Sequence, residues 1–142
     1  MRVSTKFPMA VHIMLMVAGF PNEKITSEAA AESAGCNPVI IRNIFSNLKN
    51  AGLLNTKSGR GKTELARPDS EITLWDIYTA VESDKTDELF KFHQNTSDTC
   101  PVGSNIHTLL TSHLDDAVTA LRESLSKVTL EQLKNELYEK IN

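Results

Sequence analysis

The segment SGRGKTELARP, residues 58–68, has three cations close to two glycines, a combination that can bind phosphate groups. Its GKT tripeptide at 61–63 matches the end of a nucleotide-binding P-loop, in which backbone N–H groups and a lysine hold phosphates. A P-loop also needs a glycine five positions before Gly61, where this chain has Thr56, and it needs a helix directly afterwards. Pro68 follows too soon for that helix. We therefore expect no nucleotide to bind here.

The same segment suits the tip of a β-hairpin. We expect strands at 53–57 and 63–66, joined by a turn whose glycines can adopt positive φ. Cations on such a tip contact phosphates or enter a minor groove. The candidate DNA contacts in this hairpin are Lys57, Arg60 and Lys62.

Histidines and cysteines form the second group of reactive side chains. His93, Cys100, His107 and His113 lie in one stretch, but their spacing matches no compact zinc motif, so we predict no metal site. The chain also offers no Ser/His/Asp set and no paired carboxylates in a plausible pocket, which argues against an enzyme.

Two cysteines in 142 residues are too few for a disulfide framework and are typical of a reducing cytosol. Cys36 follows the glycine of a predicted turn and is expected to pack in the core, near a helix N-terminus. Cys100 is expected to be exposed in an irregular segment. Two alternatives stay open: inert thiols, or a redox switch in which Cys100 is oxidised or linked to Cys36 of the partner subunit.

Helical periodicity and capping residues place the elements that carry these side chains. A first helix at 7–19 is apolar enough to imitate a secretory signal, but His12 interrupts it and we expect a buried helix instead. A second helix begins at the cap Thr26/Ser27 and stops at Gly35. A third opens at Asn37-Pro38 and ends before Gly52.

The C-terminal half is predicted to contain three further helices. Thr73 and Asp76 form a capping box at the start of one, and Thr129 and Gln132 form another at the start of the last. Between them, residues 105–127 make the longest helix. Its apolar side chains recur every three or four residues, as in a coiled coil: Ile106, Leu110, Leu114, Ala117, Leu121, Leu125 and Val128.

The second and third helices have the pattern of a helix-turn-helix, with the small residue Ala31 at the crossing and Gly35 in the turn. Ile41 and Ile44 then face inward. We expect Arg42 to read guanine, and other side chains on the same outward face to contact bases. The candidate DNA contacts on this helix are Asn37, Val39, Arg42, Asn43 and Ser46.

The charged residues are distributed unevenly between the two halves of the chain. Residues 1–67 hold nine basic and four acidic residues, a net charge of +5, whereas residues 68–142 hold six and fourteen, a net charge of −8. The first half therefore suits a polyanion, and the second would be repelled by one.

Several stretches resemble the Rrf2 family of bacterial regulators, of the IscR, NsrR and CymR type: RVSTKFPMAVHIMLMVA, AAAESAGCNPVIIRNIFSNLKNAGLL, GRGKTELARPDSEITLWDIYTAVE and CPVGSNI. The resemblance implies a winged helix-turn-helix, a long dimerisation helix and a palindromic operator. It places the base-reading positions at Val39 and Arg42. The family wing differs, because Ser58 stands here for its arginine and Glu64 for its aromatic residue.

Cluster-binding members of that family have three cysteines spaced about six residues apart before the dimer helix. Cys100 matches the last of these, while the two earlier positions hold Gln94 and Glu88. Neither is a usual ligand of an iron–sulfur cluster. We therefore predict no cluster and no other cofactor.

Together these observations predict a mainly α protein with a small β-hairpin wing, in which a winged helix-turn-helix is followed by a long C-terminal dimerisation helix. We expect a DNA-binding region at 1–83, an irregular sensor-like linker at 84–103, and the dimerisation and terminal helices at 104–142. The predicted function is a cytoplasmic, homodimeric repressor that binds double-stranded DNA, with no membrane segment. The alternative is a protein-interaction module whose helix-turn-helix no longer binds DNA.

Overall fold

A computed structural model describes residues 4–57, 62–82, 90 and 92–142, with Lys57 described by its backbone alone. In these residues six helices and one two-stranded antiparallel hairpin follow one another along the chain. In order, they are α1 (Lys6–Gly19), α2 (Ser27–Ala34), α3 (Pro38–Asn50), β1 (Leu54–Lys57), β2 (Lys62–Leu65), α4 (Leu74–Val81), α5 (Ile106–Ser126) and α6 (Leu130–Ile141). The mainly α fold with a small hairpin is confirmed.

Local capping explains where α2 and α3 begin and end. The Thr26 hydroxyl accepts the Ala29 N–H at 3.0 Å, and Gly35 ends α2 with a φ of +67°. The Asn37 side chain then accepts the Val39 N–H at 2.8 Å, and Pro38 is the first residue of α3. A short turn with a left-handed glycine therefore joins the two helices, as the sequence predicts.

The core lies where α1, α3 and α4 pack together beneath the hairpin. α1 is the central element, which confirms that its apolar sequence forms a buried helix. α3 buries Ile41 and Ile44, as predicted, together with Phe45 and Leu48. The side chains with no more than about 1% exposure come from every layer: Ala10, Ile13, Met14, Ala30, Ile41, Ile44, Leu48, Leu53, Leu54, Ile72, Ile77, Val81 and Leu130.

The hairpin strands pair from Leu54 with Leu65 to Lys57 with Lys62. β1 begins one residue later than predicted, because Leu53 continues the turn that ends α3 and donates its N–H to the Leu48 carbonyl. β2 lies one residue earlier than predicted at both ends. The turn at 58–61, which includes the predicted contact Arg60, lies outside the described residues.

A compact joint connects the hairpin, α4 and the C-terminal helices. The predicted capping box of α4 is confirmed, since Thr73 and Asp76 each accept the backbone N–H of the other. Thr73 also pairs with Thr129 in an isolated antiparallel bridge. Two backbone hydrogen bonds flank the bridge: Leu74 N–H to Val128 O at 2.9 Å, and Leu130 N–H to Ile72 O at 2.8 Å.

Of the two hydrogen bonds predicted for the second capping box, the structure has one. The Thr129 hydroxyl accepts the Gln132 N–H at 3.1 Å, but the Gln132 side chain reaches forward to Glu136 instead of back to the cap.

The last two helices differ in how they are packed. None of the 21 residues of α5 is buried, although Arg122 of α5 lies over the Trp75 ring of α4 at 6.0 Å. By contrast α6 returns to the core: Leu130 is fully buried, and the Tyr138 hydroxyl donates to the Gly19 carbonyl at 2.6 Å. A salt bridge to Asp69 fixes Lys134, and this hydrogen bond raises the Lys134 pKa.

Candidate nucleic-acid interface

The outward face of α3 is free of contacts with the core. Val39, Arg42, Asn43 and Ser46 are all exposed, and Val39 is 56% exposed although it is apolar. Their spacing of three or four residues places them in one row along the helix. The structure therefore brings these four predicted residues together on one surface.

Asn37 stands at the N-terminal end of that row. Its side-chain oxygen is engaged in capping α3. The side-chain NH2 group is the part of Asn37 that remains to donate to a phosphate or a base. Asn37 is thus both a helix cap and a candidate contact.

A groove of about 460 Å³ lies beside this row, where the start of α2, the outer face of α3 and the hairpin meet. Thr56 and Thr63 of the hairpin form one wall. α2 and the residues before it form the other wall, and α3 forms the floor. The described lining residues are Lys24, Ile25, Thr26, Ser27, Glu28, Arg42, Phe45, Ser46, Lys49, Thr56 and Thr63.

Three cations, Lys24, Arg42 and Lys49, line the groove. Lys24 and Lys49 were not among the DNA contacts predicted from the sequence. Lys49 lies seven residues after Arg42, which is two helical turns, so periodicity alone places it on the same face. Lys24 precedes the helix and no local pattern identifies it. With the N-terminal N–H groups of α2, these cations make the groove suitable for a phosphate backbone.

Arg42 has an acidic neighbour in the groove. Its Nη2 atom lies 3.7 Å from Oε1 of Glu28, in the first turn of α2. Both side chains are more than half exposed, so water screens the pair and it contributes only about 0–1 kcal/mol to stability. Arg42 therefore remains available to a ligand.

The hairpin cations are only partly described. Lys62 is half-buried and lies opposite Lys57 in the strand register. The Lys57 side chain and the whole of Arg60 lie outside the described residues. Their contact with DNA stays a prediction.

The two cysteines are free thiols in different surroundings. Cys36 is half-buried and packs against the core, as expected. Cys100 is exposed. Hydrogen bonding to its sulfur from the backbone N–H of Gly103, and to a smaller extent from that of Val102, lowers its pKa. The lower pKa favours the thiolate, the reactive form.

An iron–sulfur cluster does not fit these side chains. Such clusters are held mainly by cysteine thiolates, and the chain has two cysteines, one of them against the core. Within residues 4–57, 62–82, 90 and 92–142, no three His, Cys, Asp or Glu side chains converge as metal ligands. His107 instead stacks near Phe92 and interacts with the His93 carbonyl at 3.1 Å.

In the same part of the chain, no helix combines the length and apolarity needed to cross a bilayer.

Comparison with known proteins identifies relatives along nearly the whole chain. The Rrf2 family profile, described as "Iron-dependent Transcriptional regulator", matches residues 3–136. YwnA of Bacillus subtilis (strain 168), named as an HTH-type transcriptional regulator, is 31% identical over 136 residues, which are 96% of this chain and 99% of YwnA.

Solved structures give the same result. A crystal structure of a protein described as DNA-binding matches with a TM-score of 0.73 and 27% identity, covering 90% of this chain and 97% of that one. A protein from Lactobacillus plantarum described as a transcriptional regulator matches with a TM-score of 0.77 and 27% identity, covering 94% of this chain and 90% of that one.

Proposed function

The chain belongs to the Rrf2 family of winged helix-turn-helix transcriptional regulators, and we propose that it acts as a homodimeric repressor of a palindromic operator. Membership of the family makes the protein a transcriptional regulator and supports DNA as its partner. Because its target is the chromosome, we expect the protein in the cytoplasm. The observation that carries the proposal is the exposed row on α3 beside a cationic groove.

The row suggests how bases are read. A recognition helix places side chains in the major groove, where each base pair presents its own donors and acceptors. In this proposal Arg42 donates to guanine, Asn43 pairs with adenine and Val39 touches a thymine methyl. Asn37 and Ser46 extend the row at either end, and the groove cations hold the adjacent phosphates.

The exposed apolar face of α5 supports a homodimer. Leu109 is 60% exposed and Leu110 is 38% exposed on a helix with no buried residue. Helices that carry such a stripe in a soluble protein bury it against another element. A second copy of α5 supplies a matching stripe, and twofold symmetry then presents two recognition helices about 34 Å apart, one DNA turn.

Repression requires only that the dimer occupy its operator, because bound protein excludes RNA polymerase from the same DNA. Lys24 and Lys49 would contact phosphates, so affinity should fall steeply as salt rises. The acidic C-terminal half would stay away from the duplex.

We further propose that oxidation of Cys100 modulates operator binding. In the simplest form, an oxidant such as hydrogen peroxide accepts two electrons from the thiols of Cys100 and of Cys36 of the partner subunit, which lose two protons and form a disulfide. Exposure and the lowered pKa of Cys100 support this role. Cys100→Ser should abolish any oxidant sensitivity of operator binding, and unchanged sensitivity would contradict the idea.

The decisive experiment is selection of genomic fragments by the purified protein, with and without oxidant, followed by salt titration of the recovered DNA. We expect an enriched palindrome whose half-sites are one DNA turn apart and whose binding depends strongly on salt. A weak, salt-insensitive interaction without an enriched sequence would instead favour a protein-interaction module that has lost DNA binding.

A further inference from the structure

We propose that Glu28 is a positioning residue for Arg42, and that its carboxylate directs the Arg42 guanidinium toward base edges instead of phosphates. The proposal rests on the proposed function, because it requires Arg42 to face a duplex. It assigns a role in sequence specificity to a residue of α2, although α3 carries the row of base-reading candidates.

The composition of the groove is the first argument. Its described lining includes three cations and only one acid, Glu28. A long, flexible arginine in a cationic groove facing DNA is drawn to the nearest phosphate, and such contacts carry no sequence information. The acid lies next to the one cation of the three that is placed to read bases.

The geometry of the guanidinium is the second argument. It carries five N–H donors in a planar fork, and its salt bridge to Glu28 joins Nη2 to Oε1 at 3.7 Å. Guanine needs two donors, for its O6 and N7 atoms. One edge of Arg42 can therefore interact with Glu28 while another edge reads the base.

The surroundings of the pair change when DNA arrives. In the free protein both side chains are more than half exposed, so water weakens their attraction. A duplex over the groove displaces that water and strengthens every charge interaction inside it. An Arg42 that turns to a phosphate leaves the Glu28 carboxylate unpaired beside a polyanion, whereas an Arg42 that reads a base keeps it paired.

The consequence is a penalty on DNA without the correct base. Non-operator DNA places no guanine opposite Arg42, so the phosphates become its favoured partners, and Glu28 opposes that arrangement. Operator DNA offers a guanine, and Glu28 supports it. Glu28 should therefore lower non-specific affinity more than operator affinity, which raises the specificity ratio.

Glu28 also lies in the first turn of α2, where its negative charge interacts favourably with the helix dipole and stabilises the helix. The test must therefore separate specificity from stability. We would compare wild type, Glu28→Gln, Arg42→Gln and the double variant, each with a selected operator duplex and a scrambled duplex of equal length. Glu32→Gln is the matched control: it removes the same charge from an exposed position one turn later in α2, outside the groove lining. Circular dichroism melts verify that each variant folds.

For Glu28→Gln we expect affinity for the scrambled duplex to rise about threefold or more and operator affinity to stay level or fall, so that the specificity ratio drops about fivefold. In the Arg42→Gln background the same change should leave the ratio unaltered within about twofold, because there is no guanidinium to direct. Glu32→Gln should leave the ratio unaltered as well.

Three results would overturn the proposal: an unchanged ratio in Glu28→Gln, an equal drop in Glu32→Gln, or a drop that persists without Arg42. A wild-type protein that shows no preference for any sequence would overturn the proposed function and this proposal together. A wild-type preference that is undiminished in Glu28→Gln overturns this proposal alone.

Discussion

Arg42 is more than half exposed on α3, so its replacement should alter DNA binding and leave the core intact. Arg42→Ala should weaken operator binding by about 1–3 kcal/mol and relax specificity at one base position. Lys49→Ala is the comparison variant on the same face, and it should weaken binding to all sequences and lower the salt slope by about 1. Fluorescence anisotropy over a salt series distinguishes the two. An Arg42→Ala variant that loses affinity equally for every sequence would make Arg42 a phosphate contact.

The Cys100 thiol provides a second test at this scale. Hydrogen bonds from Gly103 and Val102 lower its pKa, so the thiolate should persist to lower pH than in an unfolded chain. Alkylation requires the thiolate, and its rate at Cys100 should reach half of its maximum at a lower pH than in a TCPVG peptide. Mass spectrometry resolves Cys100 from Cys36, which should react slowly because it packs against the core.

Gly103 offers the matching control. A Cβ at this position would lie 2.9 Å from the Ser97 carbonyl oxygen, too close without movement of the backbone. Gly103→Ala should therefore displace the turn, withdraw the N–H from the sulfur and raise the alkylation midpoint. An unchanged alkylation midpoint in Gly103→Ala would show that the Gly103 N–H does not cause the lowered pKa of Cys100.

Among the elements, α4 depends on a reciprocal cap. Thr73→Ala removes the hydroxyl that accepts the Asp76 N–H and should cost about 1 kcal/mol of unfolding free energy. Thr79→Ala in the same helix removes an exposed hydroxyl bonded to a carbonyl and should change stability by no more than about 0.5 kcal/mol. Urea unfolding measures both, and equal losses would show that the box does not stabilise α4.

Elements whose ends carry local signals were predictable from the sequence. Thr26 and Gly35 bound α2, and Asn37-Pro38 opens α3, because capping depends on residues within one turn. The outward row of α3 followed from the same periodicity. The groove beside it did not, because Lys24 and Glu28 come to line the same groove as Arg42 only when α2 packs against α3.

Contacts over long sequence distances escaped prediction for a related reason. Tyr138 donates to Gly19 across 119 residues, and no local pattern specifies that pair. Leu130 is similar, since its neighbours read as the start of a short amphipathic terminal helix. Only the structure shows that this leucine completes the core formed by α1 and α4.

The role of α6 in the core can be measured. Leu130→Ala should lower the unfolding free energy by about 2–5 kcal/mol, since the side chain is fully buried. Ile141→Ala is the control at the other end of the helix, where the side chain is 58% exposed, and should cost about 0.5 kcal/mol or less. A small loss for Leu130→Ala would mean that α6 is dispensable for the fold.

At the level of the whole molecule, the apolar face of α5 predicts the oligomeric state. The double change Leu109→Glu/Leu110→Glu should yield folded monomers in analytical ultracentrifugation, because it places charges on the proposed dimer face and touches no buried residue. Operator affinity should then fall at least about tenfold, since one half-site is lost. Asp115→Lys, which changes the charge of an exposed residue on the opposite face of α5, should remain dimeric. A double variant that stays dimeric would place the interface elsewhere.

In such a dimer, the bridge between Thr73 and Thr129 would fix the angle between α5 and the N-terminal half of the chain. It joins α5, a helix about 32 Å long (21 residues at 1.5 Å each), to the half of the chain that carries the proposed DNA-reading surface. A tilt of about 5° at this bridge would move the far end of α5 by about 3 Å, close to the rise of one base pair. In the proposed dimer, a few backbone hydrogen bonds far from the DNA would therefore set the distance between the two recognition helices.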